Sequence, residues 1–132
     1  MRLDVEDHRS LRTGFLRNAR RDPAAPALVV GGVTRTYGEM EETARRWCAA
    51  ILARAERPPE RIGLLAARSE VAYTGTLAAL FAGAAFVPLN RRFPPERNHA
   101  MARQADLDAI IVDRGSAGQL AAVLQGLGRA PL

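Results

Sequence analysis

The sequence has no lysine: all nineteen of its basic residues are arginine, set against fourteen acids for a net charge of +5. That absence excludes a glycine-rich phosphate loop of the kind that ends in Lys-Ser or Lys-Thr. Cysteine is nearly absent too. The single Cys48 excludes an internal disulfide framework and suits a reducing compartment. Aromatic residues make up only 5%, too few for the stacking platform of a single-strand nucleic-acid binder. The arginine pairs at 20–21, 45–46 and 91–92 are scattered, and Glu41, Glu42 and Glu96 stand near two of them. Arginine beside abundant alanine therefore reads as compositional bias, not as a phosphate-binding stripe. No apolar run approaches the roughly 18–20 residues of a membrane helix. The opening "MRLDVEDHRS" carries acids and lacks the apolar core of a secretory signal. The expectation is a soluble, cytoplasmic chain without nucleic-acid or membrane partners.

Groups for catalysis are equally scarce. His8 and His99 have no histidine, cysteine or carboxylate at metal-ligand spacing, and read as helix-face or surface residues. Cys48 follows Trp47 on an apolar stripe, the setting of a buried structural thiol. Of the three serines, Ser69 and Ser116 read as helix caps. Asp106 and Asp108 flank Leu107, and read as a solvated turn before a strand in preference to a general acid–base pair. "GLG" at 126–128 reads as a helix stop. No catalytic, cofactor-binding or metal-binding residue is assigned.

What the chain does contain is regular punctuation. Over 5–20, Val5, His8, Leu11, Phe15, Leu16 and Ala19 recur at helical spacing, and "RDPAAP" ends that helix. "ALVVGGVTRT" reads as a hairpin turning on Gly31-Gly32. Thr36 and Glu39 form a capping box for a helix over 38–55, with Met40, Ala44, Trp47, Cys48, Ile51 and Leu52 on one stripe. "RIGLLAA" reads as a buried strand. Ser69 then caps a helix, apolar nearly all round, that closes at Gly83. "AAFVPL" reads as a second buried strand stopped by Pro88, and Pro94-Pro95 open the next helix. "AIIV" is a third strand, and Ser116 with Gln119 reads as a capping box for a last helix carrying Leu120, Val123, Leu124 and Leu127.

Strands over 61–66, 85–89 and 109–112, each followed by a helix, give the repeat of a parallel sheet with right-handed crossovers. The fold class expected is α/β, an open doubly wound parallel sheet preceded by a helix and a β-hairpin. At 132 residues there is enough chain for one core. Composition and spacing alone lead no further than a soluble α/β domain.

One stretch leads further. "LFAGAAFVPLNRRFPPER" resembles the second core motif of adenylate-forming enzymes, above all the adenylation domains of nonribosomal peptide synthetases. Leu80, Ala82, Gly83, Ala85, Val87, Pro88 and Leu89 match its pattern, and Pro95, Glu96 and Arg97 match its downstream tail. "RTYGEMEETARRWCAAI" resembles the family's first core segment. "ERIGLLAARSEVAYTGTLAAL" and "DLDAIIVD" are similar to the strands and helix around the second, so the likeness runs over about residues 11–113. Phe81 stands where lysine is common, Phe86 replaces tyrosine and Asn90 replaces an acid. The proline-x-arginine tail resembles carrier-protein-loading members more than acyl-CoA synthetases.

The resemblance implies that residues 1–132 are an N-terminal subdomain of an adenylation domain. The family's phosphate loop and its lid domain, with a catalytic lysine, are not in this sequence. ATP and Mg2+ are implied for the whole enzyme, with none bound by this segment. The whole enzyme would activate an amino or other carboxylic acid as acyl-adenylate and load a phosphopantetheine thiol. Implied partners are the remainder of the adenylation domain, a carrier protein and a small MbtH-like helper. The helper's docking region carries over to Ala84, Phe86, Pro94, Pro95 and Arg97. Two other readings stand beside this one: a truncated relative kept as an interaction module, and half of a split enzyme.

Overall fold

A computed structural model describes residues 10–132, ordered as helix, hairpin, helix and then three strands alternating with helices. The first helix, α1 (Leu11–Arg21), buries Thr13, Leu16 and Ala19, spaced three apart along one face. Val5 and His8, expected on the same helix, lie outside the described residues. Strands β1 (Pro26–Val30) and β2 (Val33–Thr36) pair antiparallel through Gly31 and Gly32, whose φ angles are +57° and +78°. Two successive positive φ angles twist as the flanking strands do, which is why this turn takes glycine twice.

Thr36 then caps α2 (Tyr37–Arg54). The Glu39 amide donates to its hydroxyl at 3.2 Å, and its own amide donates to the Glu39 carboxylate at 2.8 Å. Met40, Ala44 and Cys48 are buried on this helix, while Leu52 faces outward. Each four-residue step drifts about 40° around a helix, so a row begun at Met40 has left the packed face by Leu52.

Strands β3 (Arg61–Leu65), β4 (Ala85–Leu89) and β5 (Ala109–Val112) form a parallel sheet in the order β4-β3-β5. Helix α3 (Glu70–Phe81) carries the chain from the centre to one edge, and α4 (Pro95–Ala105) carries it back across to the other. Right-handed crossovers in opposite directions place the two helices on opposite faces. Accordingly Leu77, Ala78 and Phe81 of α3 pack with Leu16, Met40 and Cys48 on one side. Ala102 of α4 packs with Leu65, Leu89, Leu107 and Val123 on the other. This is the doubly wound arrangement.

Three local expectations are corrected. Pro88 does not stop its strand: it pairs with Leu64, and β4 runs on to Leu89. The Ala85 amide donates inward to the Glu60 carbonyl at 2.8 Å. Alternation then turns residues 86 and 88 outward, where a missing amide hydrogen breaks no rung. Nor is β4 buried on both sides, since Ala85 and Pro88 are exposed at the sheet edge. Finally, Ser116 and Gln119 do not form a capping box. Asp113 lies closer to the turn, and its carboxylate accepts from the Ser116 amide at 2.8 Å. It opens a 3-10 turn (Arg114–Gln119), which leaves α5 only Leu120–Leu124, and the Gln119 side chain donates instead to the Arg91 carbonyl. No helix among the described residues is long and apolar enough to cross a membrane.

Candidate functional site

The carboxyl ends of β3 and β4 lie side by side at one end of the sheet. A cleft of about 740 Å³ lies there, floored by Leu64, Phe86 and Leu89 and rimmed by Arg68, Arg91 and Arg92. The Tyr73 side chain, exposed on the first turns of α3, forms one wall. No acid lines it, so its field is positive.

Two buried polar residues hold the loops around this end of the sheet. Asn98 of α4 is fully buried, and its amide nitrogen donates to the Asn90 carbonyl at 2.8 Å while its amide oxygen accepts from the Asn90 amide at 3.2 Å. The side chain thus pairs with backbone much as a strand neighbour would, and fixes the bend that follows Leu89. Asp113, at the end of β5, accepts from the Ala67 amide, the Ser69 hydroxyl and the Ser116 amide. Burial alone pushes its carboxyl up, but hydrogen bonds from Ser116, Ala67 and Ser69 outweigh that and hold it below the usual range.

The opposite end of the sheet is closed in the same manner. Asp108 is only 6% exposed and accepts from the Glu60 and Arg61 amides, Arg57 and Arg129. Its desolvation raises the carboxyl, and the amides and guanidiniums more than reverse it. Asp108 is therefore a buried strut, which corrects the expectation of a solvated turn. Asp106 is exposed, in the left-handed conformation that ends α4. Cys48 is buried and its thiol pushed up by burial, which fits the structural reading. The His99 ring meets the Val123 carbonyl at 3.0 Å.

These side chains do not suit a nucleotide with its metal. Among the described residues no three His, Cys, Asp or Glu side chains converge as magnesium ligands would. The two buried carboxylates are held by amides and arginines. Positive-φ glycines fall at 31, 32, 83 and 126, none of them at the cleft.

The five residues expected at a partner surface differ in exposure. Ala84 is 5% exposed and packs with Ile62, Ala79 and Ala109. Its amide donates to the Ala79 carbonyl and that of Gly83 to the Leu80 carbonyl, with Gly83 at φ +77°. This is a Schellman stop, and Ala84 is the apolar residue that such a stop buries. It cannot serve a surface. Phe86 is half-buried against the same cluster and lines the cleft. Pro94 and Arg97 are exposed, Pro95 is half-buried, and the Arg97 guanidinium stacks 3.9 Å from the Phe93 ring.

Comparison with known proteins places this architecture. A profile described as AMP-binding enzyme matches residues 15–130. The phosphinothricin tripeptide synthetase PhsC of Streptomyces viridochromogenes is 31% identical over 118 residues, covering 89% of this chain and 11% of PhsC. The crystal structure of IdnL7 superposes with a TM-score of 0.83 at 37% identity, over 89% of this chain and 23% of that one. A benzoate CoA ligase from Burkholderia xenovorans gives a TM-score of 0.78 at 26% identity, over 90% of this chain and 26% of that one. The chain spans between 1% and 11% of the length of the first curated relatives it matches. It belongs to the ATP-dependent, adenylate-forming family of AMP-binding enzymes, and it corresponds to an N-terminal portion of their fold.

Proposed function

We propose that residues 1–132 are the N-terminal subdomain of a ligase that activates an amino or other carboxylic acid as acyl-adenylate and loads it on a carrier-protein phosphopantetheine thiol. Its role is architectural: it supplies sheet and helices against which the nucleotide-binding remainder of the enzyme is built. The observation that carries this is that its buried carboxylates and the buried Asn98 amide are already engaged. Asp108, Asp113 and Asn98 each bind backbone, and no carboxylate or histidine lines the cleft. The tail Pro95-Glu96-Arg97 and the likeness to peptide synthetases favour a carrier protein over coenzyme A as acceptor. The buried, unpaired Cys48 suits the cytoplasm.

ATP–pyrophosphate exchange tests this reading. The 132-residue chain alone should give none. Mixed with a complementary polypeptide that starts before a family phosphate loop, it should give exchange that depends on both components. Exchange by the chain alone would overturn the assignment. An MbtH-like helper remains a proposed partner, on the surface of Phe86, Pro94, Pro95 and Arg97, with the buried Ala84 removed from it. Arg97→Ala should then weaken its binding at least tenfold, and unchanged affinity would remove that surface from consideration.

A further inference from the structure

We draw no further inference here: the strongest candidate, the cleft at the carboxyl ends of β3 and β4 with its apolar floor of Leu64, Phe86 and Leu89 and its rim of Arg68, Arg91 and Arg92, belongs to the site already described, and nothing in the structure shows what covers it.

Discussion

The hydroxyl of Ser69, which caps α3, donates to the Asp113 carboxylate at 3.0 Å and so ties the first turn of that helix to the end of β5. Having given its proton to Asp113, the oxygen is free to accept from the Ala72 amide. One carboxylate therefore orients a cap, holds the Ala67 amide and opens the turn after β5. Replacing it leaves buried donors unpaired, and Asp113→Ala should cost about 1–3 kcal/mol in urea unfolding at neutral pH.

The same contact sets an acid limit. The Asp113 and Asp108 carboxyls are held below their ordinary value, so each binds a proton more readily in the unfolded chain. Their stabilisation is complete above the ordinary aspartate pKa of about 4 and is lost as pH falls through the lowered values. The urea midpoint should stay level down to about pH 4 and then drop. Asp113→Asn should show a shallower drop. A variant that falls as steeply as the parent would show that Asp113 carries none of it.

Asn98 should prove as costly to remove as a large core side chain. Its truncation removes both side-chain partners of the Asn90 backbone and leaves a gap at a fully buried position of α4. Asn98→Ala should lose about 2–4 kcal/mol. Asn98→Asp separates the two bonds, since a carboxylate can still accept from the Asn90 amide but cannot donate to its carbonyl. It should fall between the parent and the alanine variant when unfolding is measured at pH 7.

Gly75 marks how closely α3 lies on the sheet. A Cβ at that position would meet the Leu64 side chain at 3.0 Å and that of Ile111 at 3.4 Å. Gly75→Val should therefore cost about 1–3 kcal/mol through overpacking. Gly75→Ala should be close to neutral, because a helix-propensity gain of about 1 kcal/mol offsets a small shift of the Leu64 methyl. Equal Tm values for the valine variant and the parent would mean that the helix stands off the sheet by more than a methyl group.

What could be read from the sequence was what is local. The Gly31-Gly32 turn, the Thr36–Glu39 box and the stop at Gly83 each depend on residues within a turn of one another, and each stands as expected. Asp108 was legible only as an acid in a turn, because its partners at Glu60, Arg61 and Arg129 come from other elements. Asn98 gave no periodic signal beyond its place one turn ahead of Met101 and Ala102. Ala84 belonged to a recognisable motif, but the motif marks a helix stop, and a stop buries its apolar residue. The cleft needed the strand order, which sets the carboxyl ends of β3 and β4 side by side.

Pro88 shows the same limit, and it yields a sharp comparison with its neighbour. Which side of a ladder an amide faces is a property of the sheet and cannot be read from the residue. Val87 shares the inward phase of Ala85, whose amide reaches the Glu60 carbonyl, whereas Pro88 has the outward phase. Val87→Pro should therefore break a rung to β3 and cost about 2–4 kcal/mol. Pro88→Val should leave the urea midpoint nearly unchanged, while restoring a donor to the exposed β4 edge and raising self-association at high concentration, as sedimentation would report. Should Pro88→Val destabilise the chain as much as Val87→Pro, residue 88 does not face outward from β4.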